Sequence, residues 1–595
     1  MKPDLKKWMG HLILPIQKEP VFFFVFLFLI TPTLQKWSVL YALTDVETAW
    51  RAFRYLSSAV LLSYCLTALV LGCHSRVLKV LSYVAGLLLF AVYMFLWLVF
   101  HQNISPLLLQ IAGETNVREA TEFAQTFFGT GGAIAAWAAV VLMVGIIYLL
   151  ERRKTAIGKL LSGRKMASFL SVSMVVVLLV GIIQLQMYAE LFRCESIRDL
   201  ELWEHKNEAF AQDSFTALLY SMQGLRVSHY EVDRAVAKCR EVSKRQPLAS
   251  DGDSLTVIYV LGESYIKSHC RLYGYPLMTT PQLCREKERG NLFVFNDVVS
   301  PTSSTTIAEK NSFCCNSMAD GELWYEHPFF PTIFKKAGYD VLMWDIQRDF
   351  QENALYTFSV NAFLYNKEIQ QRSYSQTCKT KFTYDGELVD DFLKHAVLTG
   401  KRKLAIFHLI GQHIGFHERF PDDEKYKYFS PKDISWRHEE YLTETTKQYI
   451  ADYDNATLYN DGVLGRLFDR FREDNAVLVY FSDHGEEAYD YRNSMGRKAA
   501  PDDVKKVLKY QHEIPFVIWC SDRYMASHHQ VVEALRQSLD KPAMSDNVCQ
   551  VLFHLSGLNT PYYIADRDLL SPSFKRRKRM VNGKWDYDAF MHRAQ

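Results

Sequence analysis

The sequence lacks a charge excess of either sign, an internal repeat and any long low-complexity segment. Its 68 Lys and Arg residues nearly balance 66 Asp and Glu residues, which leaves a formal net charge of +2. A strongly basic surface is the usual electrostatic signature of a nucleic-acid partner, so we expect no nucleic acid to bind. The 11 cysteines include no C-x-x-C pair, which excludes the common zinc-finger type of metal site.

Long apolar runs are abundant, and all of them lie in the first third of the chain. A helix needs about 20 mostly apolar residues to cross a bilayer. Four runs come close to this length or exceed it, at residues 55–73, 77–100, 131–150 and 167–187. The sequence therefore predicts a multi-pass membrane protein.

A fifth run, at residues 21–34, is shorter and contains Pro32. It can span only if flanking residues such as Trp37 and Tyr41 lie in the membrane interface. We predict that it is the first of five spans, and a buried core helix or a re-entrant segment is the alternative. No signal-peptide cleavage pattern follows it, so we expect it to remain as an anchor.

The distribution of Lys and Arg orients these spans. Positive residues accumulate in cytoplasmic loops, and here they cluster in the N-terminal arm, the 74–79 turn and the 151–166 loop. The opposite side has only Lys36, Arg51, Arg54 and Arg118. We therefore expect the N-terminus inside the cytoplasm and, after five spans, everything beyond about residue 188 outside it. The 101–130 segment is too polar to cross, and we expect it to form an external loop.

The rest of the chain has a different pattern of apolar and charged residues. Residues 188–250 are charge-rich and predict a helical connector between a membrane domain at 1–187 and a catalytic domain at 251–595. Short apolar runs alternate with helical stretches in that last domain, which indicates an α/β fold with a largely parallel sheet. The predicted strands are 255–261, 341–344, 404–410, 476–481 and 514–520.

Polar side chains follow several of these strands. Glu263 follows the first strand, His413 follows the 404–410 strand, and Asp483 with His484 follows the 476–481 strand. A hydroxyl-rich loop at 300–306 follows the short run 292–299. Ligands of open α/β sheets gather at the carboxyl ends of the strands, and carboxylates with an imidazole are ligands that Zn²⁺ accepts. Each motif alone is also typical of an ordinary turn or helix cap, and only their combination predicts a metal site.

This combination, preceded by five spans, resembles the phosphoethanolamine transferases of the alkaline phosphatase/sulfatase superfamily, which modify lipid A or the lipopolysaccharide core. The matching motifs are GESYIKSHCRLYGYPLMTTPQL at 262–283, SPTSSTT at 300–306, GQH at 411–413, SDHGEE at 482–487 and YQHEIPF at 510–516. The resemblance implies a sulfatase-like α/β domain on the periplasmic side of a bacterial inner membrane. It also implies a phosphatidylethanolamine donor and a lipid A or lipopolysaccharide core acceptor.

The resemblance also implies roles for particular residues. Thr305 takes the place of the nucleophile and lies close to the metal. The expected Zn²⁺ ligands are Glu263, Asp483 and His484, together with Thr305. His413 and His512 take the places of histidines that bind the donor phosphate or transfer protons. His512 precedes its strand, so its assignment rests on the resemblance alone.

The sequence departs from the family in two places. Pro301 stands where many relatives have the first cysteine of a pair beside the nucleophile, so disulfide positions do not carry over. Gly411-Gln412-His413-Ile414-Gly415 replaces the usual Gly-Ser-His-Gly-Pro, which leaves the shape of the donor pocket open.

Two other functions compete with this interpretation. A phosphoglycerol transferase of the same superfamily has the same number of spans and a threonine nucleophile, and a non-catalytic membrane scaffold could share the fold. Sulfatase activity is disfavoured, because Ser300-Pro301-Thr302-Ser303-Ser304 has proline at the wrong offset and no arginine for formylglycine formation.

Overall fold

The apolar runs form helices in a computed structural model of the chain. The structure describes residues 2–31, 46–100, 103–106, 108–109, 112, 121, 124–125, 127–211, 214–245, 253–348, 355–497 and 503–591. These residues divide into two units, one of Met1–His229 with Gln351–Phe358 and the other of Tyr230–Phe350 with Ser359–Gln595. Trp37, Tyr41 and most of the 101–130 loop fall outside the described residues.

The N-terminal unit consists of helices. In chain order they are Lys2–Lys18, Pro20–Ile30, Val46–Gly72, Arg76–Phe100, Gly131–Arg152, Lys154–Leu161, Arg164–Arg193, Ile197–Ala211 and Ser214–Lys244. The last of these helices continues beyond His229 into the second unit, and the later helix Leu355–Leu364 begins in the N-terminal unit. Among the described residues, four of them are long and apolar enough to cross a membrane. The last two helices occupy most of the segment predicted as a helical connector, and the domain boundaries at 187/188 and 250/251 stay predictions.

The predicted first span has a bend. Gly10–Lys18 and Pro20–Ile30 pass the spanning test only as a pair, and they meet at an angle of 81°. Pro20 lacks an N–H and begins the second helix, a position in which proline needs no helical partner. Glu19 stands at the bend, with Lys79 at 2.7 Å and Lys154 at 2.5 Å. Among the described residues, four helices are thus candidate spans on their own. The bent pair, taken as one span, gives a fifth.

The described residues of the second unit contain thirteen strands. They are β1 (Leu255–Gly262), β2 (Leu292–Val294), β3 (Val298–Val299), β4 (Asp340–Asp345), β5 (Gln376–Thr377), β6 (Arg402–His408), β7 (Ala476–Ser482), β8 (Glu487–Ala488), β9 (Met495–Gly496), β10 (Phe516–Cys520), β11 (Ala543–Met544), β12 (Met580–Val581) and β13 (Trp585–Asp586). Seven of them form one sheet in the order β2-β10-β7-β1-β6-β4-β5. The five strands from β7 to β5 are parallel, and β10 is antiparallel to both β7 and β2.

Helices complete the second unit. They are Pro281–Glu288, Thr305–Phe313, Phe330–Lys336, Leu355–Leu364, Lys367–Ser373, Asp385–His395, Glu444–Phe471, Val504–His512, Asp522–Ser527, His529–Arg536, Val548–Ser556 and Tyr587–Met591. The central strand β1 is buried on both faces. Val257, Tyr259 and Leu261 join one hydrophobic cluster, and the alternate residues Ile258 and Val260 join another, as the two-residue period of a strand requires. The predicted fold class, a multi-pass helical membrane domain followed by an α/β sulfatase-like domain, is confirmed.

A buried ion pair supports the helix Thr305–Phe313. Lys310 Nζ lies 3.1 Å from Glu231 Oε2 and 3.1 Å from Ser359 Oγ, and both charged side chains are 3% exposed. The ammonium group also lies 4.8 Å from the centre of the Trp324 ring. Because both charges are out of water, removal of either one leaves the other without its counter-charge.

We predict that Lys310→Met weakens this helix by about 3–5 kcal/mol, the usual cost of breaking a buried pair. The double variant Glu231→Gln/Lys310→Met should recover most of that loss, because no isolated charge remains. Hydrogen exchange of residues 305–313 in the full chain measures both effects. Lys238→Met, which removes a half-buried lysine from the helix of Glu231, serves as the control and should change little. Equal losses in the single and double variants would contradict the role of charge.

Candidate active site

Glu263 and Asp483 meet because their strands are parallel neighbours. Gly262, at the end of β1, pairs with Ser482, at the end of β7, so the next residue of each strand leaves the sheet at the same edge. Both carboxylates are buried. Asp483 Oδ1 accepts the backbone N–H groups of Ser264 at 2.9 Å and His484 at 2.7 Å. One carboxylate oxygen of Asp483 therefore holds the two strand ends together.

The end of β6 packs closely against the same place. Gly411 has a φ of +48°, and a Cβ there would lie 2.7 Å from the carbonyl oxygen of Glu263. A side chain would be strained at this φ and would also clash. The Gln412 N–H donates to that same Glu263 carbonyl at 3.0 Å. The loop that carries His413 is thus held directly against Glu263.

Thr305 brings a hydroxyl to this cluster from the first residue of its helix. Its Oγ1 lies 2.9 Å from His484 Nε2 and 3.3 Å from Glu263 Oε1. Other hydroxyls of the 300–306 loop have different environments. Ser300 Oγ donates to the carbonyl oxygens of Asp483 and Thr302, and Thr306 Oγ1 is buried without a hydrogen-bond partner.

His484 presents a lone pair to the cluster. Its Nδ1 lies 3.0 Å from the carbonyl oxygen of Gly485, which can only accept, so Nδ1 bears the proton of the neutral ring. Burial, with Arg497 nearby, lowers the pKa of His484 to about 3. Nε2 is therefore an acceptor, and it faces Asp483 Oδ2 at 2.9 Å and Glu263 Oε1 at 3.4 Å.

This arrangement suits a cation. Glu263, Asp483 and His484 offer one ligand atom each within 4.8 Å of one another. Asp483 Oδ2 and Glu263 Oε2 are buried, and neither has a hydrogen-bond partner among the described residues. Burial also raises the pKa of Glu263, and it raises that of Asp483 to about 6. Acceptor atoms facing one another in a buried site are costly unless a positive charge lies between them, so these residues fit a metal ion.

Two further residues enter the site without having been predicted. Arg497 donates from Nη1 to Ser303 O at 2.8 Å, to Thr305 Oγ1 at 3.1 Å and to His484 Nε2 at 2.5 Å. Its Nε lies 3.2 Å from Glu486 Oε2. The SDHGEE motif contains Glu486, so the sequence did hold a signal for it. Arg497 follows the two-residue strand β9 and carries no such signal.

The two other predicted histidines lie differently. Burial lowers the pKa of His413, and the carboxylate of Glu263 opposes that shift. His512 is buried, its Nδ1 donates to Ser300 O at 3.0 Å, and its Nε2 accepts from Asn582 Nδ2 at 3.3 Å. Within the described part of the chain, the hydrogen bonds of His512 thus go to the loop around the cluster, not to the cluster itself.

The strand direction explains why His512 lies at this edge at all. Phe516 at the start of β10 pairs with Phe481 near the end of β7, because the two strands are antiparallel. The residues before β10 therefore emerge at the same edge as the residues after β7. A search limited to residues that follow strands therefore misses His512 and its neighbours.

A second buried chain of polar groups lies behind Thr305. Glu309, one turn after Thr305 on the same helix, contacts His408 through Oε1 and Nε2 at 2.9 Å. His408 Nδ1 lies 2.9 Å from Asp345 Oδ1. Burial lowers the pKa of His408, but the two carboxylates overcome that effect and raise it well above its usual value. The charged imidazole fastens the helix of Thr305 to the ends of β6 and β4.

Solved structures of similar proteins include two phosphoethanolamine transferases. The crystal structure of the C-terminal periplasmic domain of EcEptC from Escherichia coli has 28% identity and a TM-score of 0.49, and the match covers 58% of this chain and 96% of that one. The integral membrane protein EptA from Neisseria meningitidis has 20% identity and a TM-score of 0.47, over 95% of this chain and 98% of that one.

Curated relatives include two proteins of the same kind. Phosphoethanolamine transferase EptC of Escherichia coli (strain K12) is 28% identical over 349 residues, which are 58% of this chain and 58% of the relative. EptA of Salmonella typhimurium is 25% identical over 450 residues, or 72% of this chain and 75% of that one. The match thus spans little more than half the length of EptC.

The family model described as Sulfatase matches residues 256–545. This range contains Glu263, Thr305, Asp483 and His484. The resemblance that the motifs of this region predict is confirmed. Residues 256–545 are therefore similar to the Sulfatase family, and several curated relatives of the chain are named phosphoethanolamine transferases.

Proposed function

We propose that the chain transfers phosphoethanolamine from phosphatidylethanolamine to lipid A or to the lipopolysaccharide core. The observation that carries the proposal is the position of Thr305. Its hydroxyl lies within 3.3 Å of both Glu263 and His484. Beside it are Glu263 Oε2 and Asp483 Oδ2, which have no hydrogen-bond partner among the described residues. Relatives named phosphoethanolamine transferase EptC and Kdo(2)-lipid A phosphoethanolamine 7''-transferase support this substrate class.

The proposed metal is Zn²⁺, held by Glu263, Asp483, His484 and Thr305. Carboxylate oxygens and the nitrogen of a neutral imidazole are ligands that Zn²⁺ accepts in proteins. When bound, Zn²⁺ supplies Lewis acidity that favours the alkoxide form of a coordinated hydroxyl and neutralises charge on phosphoryl oxygens. The unpartnered oxygens of Glu263 and Asp483 are the observation on which this assignment rests.

The chain's own residues then perform two displacements. In the first, the Oγ1 of Thr305 forms a bond to phosphorus while the bond from phosphorus to the glycerol oxygen breaks. The Thr305 proton is lost, and diacylglycerol leaves with a proton on its new hydroxyl, so charge balances. Thr305 occupies the first turn of its helix, whose free N–H groups and dipole favour the negative charge of an arriving phosphate.

In the second displacement an acceptor oxygen attacks the phosphothreonine. The acceptor loses a proton as the new bond forms, and Thr305 regains its hydroxyl. His413 and His512 are proposed to bind the donor phosphate or to transfer protons at these steps. His413 follows Gln412, whose N–H donates to the Glu263 carbonyl, and the Glu263 carboxylate acts on the pKa of His413, whereas both ring nitrogens of His512 have hydrogen-bond partners.

The apolar helices are proposed to keep the enzyme in the bilayer that holds both lipids. We assign residues 1–187 to the bacterial inner membrane, 188–250 to a connector and 251–595 to the periplasm. The concentration of Lys and Arg in the N-terminal arm, the 74–79 turn and the 151–166 loop supports this orientation.

Zinc content tests the metal assignment. We predict that the full chain, purified in detergent, binds one zinc ion that Glu263→Ala, Asp483→Ala and His484→Ala each remove, because every substitution deletes a ligand. Elemental analysis after dialysis measures the stoichiometry. His395→Ala removes an exposed histidine with a carboxylate partner and should leave zinc unchanged.

Thermal unfolding separates loss of metal from loss of folding. Added zinc should stabilise the unmodified chain and the His395→Ala variant, since a ligand that binds the native state raises its stability. The three ligand variants should show a cooperative transition that zinc no longer shifts. Full zinc occupancy in any folded ligand variant would place the metal elsewhere.

Trapping the intermediate tests the nucleophile. We predict that the zinc-loaded chain, incubated with phosphatidylethanolamine and no acceptor, gains one phosphoethanolamine group on Thr305, because no second displacement can remove it. Peptide mass spectrometry locates the adduct. Thr305→Ala should keep its zinc and lose turnover by several orders of magnitude, and Thr305→Ser should retain part of it.

Thr306→Ala is the matched control, since its hydroxyl is buried one residue away, and it should still form the adduct. An adduct on Thr306 or Ser304 would contradict the assignment, and transfer without any adduct would contradict the two-step mechanism. A phosphoglycerol adduct from phosphatidylglycerol, with none from phosphatidylethanolamine, would favour the alternative headgroup.

Protease accessibility tests the orientation. We predict that protease added to spheroplasts cuts within residues 251–595, because the positive loops hold the opposite side of the membrane in the cytoplasm. Immunoblotting with antibodies against the C-terminal domain detects the cleavage. Complete protection of this domain, with cleavage only after the cells are lysed, would reverse the orientation.

A further inference from the structure

Arg497 reaches the nucleophile from a short hairpin. Strands β8 and β9 pair in an antiparallel manner, and Arg497 directly follows Gly496 at the end of β9. Gly496 has a φ of +89°, a conformation that a side chain rarely adopts, and the chain turns there. The hairpin begins at Glu487, three residues after His484, so one continuous loop carries both the metal ligands and Arg497.

The contacts of Arg497 differ from those of a structural arginine. Arg579 of the same domain is 3% exposed in its side chain and is held by the carboxylates of Asp297 and Asp588. Arg497 instead directs Nη1 to the hydroxyl of Thr305 and to the lone pair of His484. Its side chain is 26% exposed, so a molecule arriving from solvent can reach it.

Arg497 Nη1 and a bound metal compete for the same lone pair, that of His484 Nε2. A metal ligated by His484 uses the same Nε2 lone pair to which Arg497 donates at 2.5 Å. That donor group must therefore release Nε2 when the metal binds. The Nε contact with Glu486 at 3.2 Å does not involve Nε2, so it can hold the guanidinium beside Thr305 while Nη1 turns from His484 to another acceptor.

We propose that Arg497 binds the phosphate of the donor during transfer and that Glu486 positions Arg497 for this task. The proposal rests on the proposed function and adds a catalytic residue to it. A guanidinium presents its N–H groups as a planar fork that matches two oxygens of a phosphate. Thr305, which must approach the same phosphorus atom, lies 3.1 Å from Nη1.

The charges of the site support this role. Three buried carboxylates, those of Glu263, Asp483 and Glu486, face one another at the strand ends. A divalent metal together with Arg497 balances them, so an anionic phosphodiester meets a neutral site. Without Arg497 the same site keeps a net negative charge and repels the donor.

Calorimetric titration of the full chain in detergent tests the proposal with zinc and with inorganic phosphate. Arg497→Ala should bind zinc at least as tightly as the unmodified chain, because a competitor for the His484 lone pair is gone. The zinc-loaded variant should bind phosphate about ten- to a hundredfold more weakly, as loss of a charged hydrogen bond predicts. Arg497→Lys should fall between the two, because it keeps the charge and loses the fork.

Two controls sharpen the experiment. Arg466→Ala removes an arginine that pairs with Asp390, on the helix Glu444–Phe471, and should change neither affinity. Glu486→Gln should weaken phosphate binding in the unmodified chain and have no further effect in the Arg497→Ala background, because it acts through Arg497. An additive loss in the double variant would overturn the role of Glu486.

Unchanged phosphate affinity in zinc-loaded Arg497→Ala would overturn the role of Arg497. Zinc and phosphate affinities that fall by the same factor would also overturn it, since Arg497 would then support only the metal ligands. Neither measurement requires turnover. If Arg497-dependent phosphate binding occurs and no adduct forms on Thr305, the proposed function fails while this assignment stands.

Discussion

The pairing of two parallel strands is the constraint on which the site depends. Gly262 and Ser482 lie side by side at the ends of β1 and β7, so Glu263 and Asp483 must leave the sheet together. The bonds from Ser264 N and His484 N to a single oxygen of Asp483 then fix the two exits relative to each other. Because that oxygen is satisfied by backbone donors, the second carboxylate oxygen is left for another partner, and it faces Glu263 and the His484 lone pair.

This geometry brings several buried acceptor groups together, and the positive side chains of the protein neutralise them only in part. Burial raises the pKa of Glu263, Asp483 and Glu486 and lowers that of His484, so every shift opposes the charged form of its group. Arg497 supplies one positive charge, and it does so by donating to the lone pair of the imidazole. A divalent cation satisfies the acceptors more completely, because it can contact several of them at once. We therefore propose that metal binding and domain stability are coupled here.

The sequence predicted those parts of the structure that follow from periodicity and strand polarity. The buried runs at 255–261 and 476–481 became β1 and β7 with one residue added to each, and the polar residues after them met as expected. The carboxyl ends of the strands did not indicate the position of His512, because β10 is antiparallel to β7 and His512 comes before β10. The bend at Glu19 and Pro20 brings Glu19 into ion pairs with Lys79 and Lys154, which are distant in sequence and which no local pattern indicates. Arg497 sits after a two-residue strand, too short for any pattern to indicate.

The elements that carry the functional groups differ in how firmly they are held. Glu263 and Asp483 stand at the ends of the two central strands, and Thr305 stands on a helix that Lys310 and Glu309 tie into the domain through buried charges. Arg497 instead follows a hairpin of two-residue strands. In-line phosphoryl transfer requires a fixed line between the attacking oxygen, phosphorus and the leaving oxygen, so the proposed nucleophile and metal ligands gain from rigid support. The role proposed for Arg497 requires its Nη1 to leave His484 before it meets a phosphate, and this arginine follows strands of only two residues. The proposed reaction thus assigns the fixed groups to the central strands and a buried helix, and the group that must move to a short hairpin.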